Sequence, residues 1–328
     1  MQHQGVRVDE LIGIKGKRIF ITGGAGFIGS TLAGRLLEEN DVTIYDDFRR
    51  DSLSTRPFAD DPRLNIVEGN VLDAERIAKS IGDANIVIHC AAIAGIDTVI
   101  LRPTETLRVN ILGTANVLEA ARGLPNLERL ITFSTSEVFG QTAFRADEAD
   151  TAHIGAVGEA RWTYAVGKLA DEHFAMAYHQ EFDLPTVIVR PFNVYGPGQV
   201  GDGAMRTFVI RALAGDEIQI HGDGNQIRAW CYVDDMIQGI MLALTDPKAV
   251  GEAFNIGNAR AVITIYGLAQ TVVRVLGSSS KIRFIPKDYA DVELRVPSVR
   301  KAKELMGFEA KVDLEEGILR TAEYYKNL

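Results

Sequence analysis

Short apolar runs alternate with helical spacing over the first two-thirds of the chain. Arg18-Ile19-Phe20-Ile21-Thr22 reads as a strand, and Phe27 to Glu39 as a helix with Ile28, Leu32 and Leu36 on one face. Val42 to Tyr45, Leu64 to Val67, Asn85 to His89, Arg129 to Phe133 and Pro185 to Arg190 predict five further strands. Between the later ones, Thr104 to Arg122 and Tyr164 to Glu181 have helical patterns. Strands separated by helices need crossover connections, so the expected class is α/β, a doubly wound parallel sheet covered on both faces. Beyond Asn193 the elements shorten, punctuated by Gly196-Pro197-Gly198, Gly201-Asp202-Gly203 and Gly222-Asp223-Gly224. The expected division is an extension over 1–16, a nucleotide-binding domain over 17–192, and a smaller α/β substrate-binding lobe over 193–328. The two should interleave near their boundary, with a cleft between them.

Composition narrows the function. The chain has 328 residues and a formal charge of −9, with 46% hydrophobic and 24% charged residues. Those fractions exclude disorder as the main theme, and the acidic balance disfavours bulk binding to nucleic acid or an anionic membrane. The two cysteines, Cys90 and Cys231, cannot build a disulfide framework or a four-thiolate zinc site. They and His89 read as packing residues. No His/Cys/Asp/Glu cluster has metal-ligand spacing, so no metal is expected. No run approaches the length of a membrane span, and Met1 to Lys17 has no apolar core of the secretory kind. A soluble, cytoplasmic protein is expected.

Thr22-Gly23-Gly24-Ala25-Gly26-Phe27-Ile28-Gly29 follows the first strand and opens the first helix. Gly23 would permit the tight turn, Gly26 would let the backbone approach a pyrophosphate, and Gly29 would let the helix pack closely on the sheet. A strand before, a helix after and an acid closing the second strand make this a Rossmann nucleotide site. That acid, Asp46, can accept the hydroxyls of an adenosine ribose and would repel a 2′-phosphate, which favours NAD over NADP. Asp47 follows it. Arg49 and Arg50 read as solvated loop charges.

Tyr164 and Lys168 stand four apart on one helical face. They follow the fifth strand, whose end, Phe133-Ser134-Thr135-Ser136-Glu137-Val138-Phe139-Gly140, supplies hydroxyls at the carboxyl edge of the sheet. Together with the glycine pattern and Asn110, these motifs resemble the extended short-chain dehydrogenase/reductases that modify nucleotide sugars. The resemblance continues through Arg190-Pro191-Phe192-Asn193-Val194-Tyr195-Gly196-Pro197, Gly222 to Arg228, Asp234, and Asn255-Ile256-Gly257-Asn258. It implies a tightly bound NAD, held by the glycine turn with Phe27 and Ile28, by Asp46 and Asp47, by Asn70 and Val71, by Ala91 and Ala92 after the fourth strand, and by Asn110, Tyr164 and Lys168. It implies Tyr164 as general base on a sugar hydroxyl, with Thr135 sharing the proton, and a transient 4-keto sugar. A cation at Lys168, together with the nicotinium charge, should lower the Tyr164 pKa.

The fate of that ketone is where the motifs diverge. Dehydratases of the family carry Asp-Glu after the Thr, where this chain has Ser136-Glu137, and simple 4-epimerases lack an acid at Glu137. Ser-Glu there is similar to UDP-glucuronate decarboxylases. Arg161-Trp162-Thr163-Tyr164 and Glu293-Leu294-Arg295-Val296-Pro297-Ser298 resemble the aminoarabinose-pathway decarboxylase. The likeness implies that Arg295 orients a hexuronate carboxylate and Glu137 manages the proton at C5. The chain departs from the decarboxylases at Val296, where they carry Lys, and in the loop His89 to Ile96. Decarboxylation of a UDP-hexuronate, 4-epimerisation and dehydration all stay open, as does an NAD-binding regulator without turnover.

By family position Asn193 and Arg228 would bind the substrate diphosphate, and His221 would lie against the base. Asn70 stands where relatives have Asp against adenine, and an amide can both donate and accept there. The plainer alternatives are a loop amide capping backbone for Asn193, a surface salt bridge for Arg228, and a strand-end histidine for His221. The family implies a homodimer through the helices at 104–122 and 164–181.

Overall fold

The computed structural model describes residues 13–286 and 292–328. Seven parallel strands form the main sheet: β1 (Arg18–Thr22), β2 (Asp41–Asp46), β3 (Leu64–Glu68), β4 (Ile86–His89), β5 (Arg129–Phe133), β7 (Thr186–Pro191) and β12 (Glu252–Ile256). Their order is β12-β7-β5-β4-β1-β2-β3. Register runs Ile19 against Val42 on one side of β1 and against Ile86 on the other. Side chains alternate across the pleat, so Ile19 and Ile21 enter one core while Phe20 enters the other. Helices α1 (Phe27–Leu37) and α8 (Val233–Thr245) supply Leu32, Leu36, Met236 and Ile240 to the first core. Helices α2 (Ala74–Ser80) and α5 (Gly113–Arg122) supply Ile77, Val117 and Leu118 to the second. Burial on both faces explains why the strands read as continuous apolar runs rather than as alternating ones.

The helix expected over Thr104 to Arg122 is interrupted. Pro103–Leu107 (α4, after the short α3 at Ile96–Leu101) passes into a π-helical turn at Arg108–Leu112 before α5 begins. Helix α6 (Thr163–Phe182) ends at Asp183 in the left-handed conformation, φ +54°.

The small lobe is built around a four-stranded sheet ordered β13-β10-β15-β6: Val262–Thr264, Ile227–Ala229, Leu294–Pro297 and Thr142–Ala146. Parallel pairs join β8 (Val194–Tyr195) to β11 (Cys231–Tyr232), and β9 (Ile218–His221) to β14 (Ile282–Ile285). Around them lie α7 (Ala204–Ala214), α9 (Ile265–Val275), α10 (Arg300–Met306) and α11 (Leu314–Lys326). The lobes exchange strands. β6, from before residue 192, lies beside β15 in the small sheet, whereas β12, from after it, closes the edge of the large one. Among the described residues no helix is long and apolar enough to cross a membrane.

Candidate active site

Crossovers leave β1 and β4 in opposite directions, so a crevice opens at their carboxyl ends. Gly23 turns there with φ +69°, its amide donating to the Tyr45 carbonyl at 2.9 Å. A Cβ on Gly23 would stand 2.5 Å from the Ala91 nitrogen, and one on Gly29 2.8 Å from the Gly24 Cα. Only glycine fits either place. Helix α1 starts after Gly26 with no side chain capping its first amides. Bare amides at a helix N-terminus, under a backbone too close for any Cβ, are a cradle suited to a pyrophosphate.

A cavity of about 250 Å³ beside this turn is lined by Gly23, Gly26, Asp46, Asp47, Asn70, Val71, Ala91 and Ala92. Phe27, Ile28 and Gly29 line the adjoining one. The residues fit an extended dinucleotide: Asp46 would suit an adenosine ribose, and the α1 amides a pyrophosphate. Asp46 also braces the turn: it accepts from Ala25 N at 2.9 Å and from Phe48 N at 2.8 Å. Burial pushes its carboxyl pKa up, and those two amides oppose the rise. Asn70 accepts from Leu72 N, and its amide donates to Asp47 at 3.4 Å. Asn110 is wholly buried, and its amide group is spent on the backbone N–H and carbonyl of Ile93, which lines the cavity.

The adjoining cavity, about 380 Å³, holds the chemical centre: Thr135, Ser136, Glu137, Tyr164 and Lys168 around the glycine turn. Thr135 stands two residues beyond β5 and caps the turn that follows, accepting from Glu137 N at 3.2 Å, and its hydroxyl is also hydrogen-bonded to Tyr164. The Tyr164 pKa does not fall as expected. Burial pushes the phenol above its ordinary value of 10.0, with the charges of Glu137 and Asp171 adding to the rise. The Thr135 hydrogen bond and Arg50 pull the other way. One turn along the helix, the Lys168 ammonium donates to Asp171 at 2.7 Å.

The third cavity, about 600 Å³, continues into the small lobe and is lined by Asn193, His221, Arg228, Arg295, Glu137 and Arg161, among others. Asn193, in a left-handed conformation at φ +39°, donates to the Ala229 carbonyl at 2.8 Å, joining the lobes. Arg228 is a buried wall residue rather than a surface ion pair, donating to the carbonyls of Val292 and Ile227. His221 is exposed at the end of β9. Arg295, on β15, is 3% exposed and donates to the Gly140 carbonyl at 2.7 Å.

Three residues beyond the expected set belong here. Arg161 grips Glu137 with both terminal nitrogens, at 2.6 and 3.3 Å. Arg50 is not merely a solvated loop charge: it lines all three cavities, while Arg49 pairs with Asp47 and Glu105. Asp171, the partner of Lys168, carried a legible signal in its i+3 spacing. His89 and Cys90 flank the centre. Burial drives the His89 pKa down to about 3 and the Cys90 thiol well up, so the imidazole is neutral and the thiol unreactive. Among the described residues no cluster of three metal-ligating side chains occurs.

Comparison with known proteins agrees with this geometry. Residues 19–257 match the NAD dependent epimerase/dehydratase family. A UDP-N-acetyl-alpha-D-glucosaminuronate decarboxylase of Bacillus cytotoxicus is 34% identical over 95% of this chain and 98% of its own length. UDP-glucuronic acid decarboxylase 1 of Danio rerio is 31% identical over 94% of this chain and 72% of its own. The solved UDP-glucuronic acid 4-epimerase of Bacillus cereus, in complex with UDP-glucuronic acid and NAD, superposes with a TM-score of 0.86. It is 30% identical and covers 94% of this chain and 99% of that one. The chain belongs to the NAD dependent epimerase/dehydratase family, whose members modify nucleotide sugars.

Proposed function

We propose that this enzyme removes CO2 from a UDP-hexuronate, UDP-glucuronate or its 2-acetamido counterpart. The observation that carries the reading is that Glu137 and Arg295 line both the cavity of Tyr164 and the wider one beyond it. A sugar whose C4 hydroxyl meets Tyr164 would therefore present C5 and its carboxylate to an acid and a guanidinium. The curated relatives named as decarboxylases support the same choice.

NAD, when bound, accepts the two electrons removed from C4 and later returns them. The chain's own residues do the rest. Thr135 and Tyr164 hold the 4-hydroxyl, and Tyr164 takes its proton. Arg295 orients the carboxylate, which lies β to the ketone and leaves as CO2 because its electron pair spreads into an enolate. Glu137 relays a proton taken up from solvent to C5, a step that needs one of its bonds to Arg161 to open. Asn193 and Arg228 hold the diphosphate, and His221 flanks the base. Arginines lining the cavity let a protein of net charge −9 hold an anionic substrate.

One observation favours 4-epimerisation instead. Glu137 is already occupied by Arg161, so a product that needs no acid at C5 would leave that pair undisturbed. The purified protein, incubated with each uronate, decides between them. CO2 with a UDP-pentose, or its amino-sugar equivalent, means decarboxylation, whereas UDP-galacturonate from UDP-glucuronate means epimerisation. No product from either, with NAD released on denaturation, would overturn the hexuronate reading. The homodimer rests on Leu112, Val166 and Phe182, exposed apolar residues on the two helices expected to pair, and light scattering tests it.

A further inference from the structure

Lys168 and Asp171 are 1% and 0% exposed, and one ion pair joins them inside α6. Taking two charges out of water is costly, so such a pair is not explained by stability alone. Lys168 faces the cavity that holds Tyr164 and Thr135, while Asp171 stands behind it. Behind the carboxylate runs a polar chain. His89 bonds the Thr114 hydroxyl through Nε2 at 2.8 Å and the Thr22 hydroxyl through Nδ1 at 2.7 Å, and Thr114 lies beside Asp171. The chain ties α6 to α5, β4 and β1, and so fixes where the carboxylate sits.

We propose that Asp171 is a positioning residue of the active site: it anchors the Lys168 ammonium and offsets its charge beside the Tyr164 hydroxyl. The phenol therefore keeps its proton until other charges in the cavity favour its loss. Every group that faces this corner enters the balance. Glu137 approaches from the turn after β5, Arg50 from the loop after β2, and Asp171 from the shared helix. His89 and Cys90 sense Lys168 from the end of β4. Glu172, next in the helix, is held by Arg190 at 2.6 Å, so the second buried carboxylate of α6 has its own counter-ion. Removing Asp171 alone should expose Tyr164 to an uncompensated cation. The proposal rests on Tyr164 as the base but not on what becomes of the sugar.

The test follows the Tyr164 ring directly, without substrate or turnover. The full-length protein is labelled with tyrosine carrying 13C at Cζ, with NAD content matched between samples by release on denaturation. The Tyr164 resonance is assigned by its loss in Tyr164→Phe, then followed against pH. Asp171→Asn should lower the midpoint by about one pH unit or more, tenfold in acidity. Asp171→Ala, which removes the same anion and leaves room for water beside Lys168, should move it the same way if the Asn variant fails to fold. Asp171→Glu should return the midpoint toward that of the unaltered protein, which a merely structural role would not require. An unchanged midpoint in whichever of the Asn and Ala variants folds, or a rise, would overturn the proposal. The uronate product assay reports separately on the decarboxylase reading.

Discussion

Two ion pairs bracket Tyr164 along one stretch of chain, and they are built for different work. Arg161–Glu137 lies on the wall of the substrate cavity, its side chains 7% and 20% exposed. Lys168–Asp171 lies behind the centre, with essentially no exposure. The first pair spans two elements and can open when a ligand offers its own carboxylate. The second sits within one helix, closed to solvent and backed by Thr114, His89 and Thr22. The same chemistry thus serves as a movable contact on one side of the tyrosine and as a fixed one on the other.

Several substitutions would break or sharpen that contrast. Tyr164→Phe should have the largest effect, lowering turnover by about 10²–10⁴-fold, the usual worth of a positioned acid or base. NAD released from the denatured variant should be unchanged, and comparable turnover would remove Tyr164 from the base role. Next, Lys168→Met should leave Asp171 buried without its cation and cost about 3–5 kcal/mol in urea unfolding. Arg161→Met should cost less, about 1 kcal/mol, because water reaches Glu137. Equal losses would mean the two pairs are not distinct.

A further effect should appear only in acid. The folded-state pKa of His89 is depressed to about 3 from 6.5, so between those values the unfolded chain binds the extra proton. The neutral imidazole therefore costs no stability above about pH 6.5, and stability falls as pH drops from there toward 3. His89→Gln should flatten the decline of the urea midpoint between neutral pH and pH 5. An identical decline would mean that His89 is not held neutral in the fold.

Much of the architecture was legible because both faces of the sheet are covered. Arg18–Thr22 and Arg129–Phe133 have no polar alternation to confuse with surface strands, and Gly23 and Gly29 occupy places no other residue fits. Strand Glu252–Ile256 was harder to place, since nothing local tells it to return to the first sheet. In the site, Tyr164 and Lys168 carry helical spacing, and so does Asp171. Arg161 does not, because its partner Glu137 comes from a different element and only the fold brings them together. Arg50 read as a solvated charge because a loop sequence does not encode which cavities it crosses. The acidity of Tyr164 went the other way from expectation for a physical reason. Counting a nearby cation is not enough when burial of the phenol outweighs the charges around it.

The strand exchange has a consequence for how the molecule holds together. Thr142–Ala146 is hydrogen-bonded to the strand that carries Arg295, and Glu252–Ile256 is hydrogen-bonded to the strand that leads into Asn193. Each half of the chain therefore lends an edge to the other's sheet. Severing it at residue 192 would strip both halves of a strand, and neither fragment should melt as a unit. The two walls of the substrate cleft form in one cooperative event, so a protomer with a working NAD site and a collapsed sugar site is not a state this architecture readily visits.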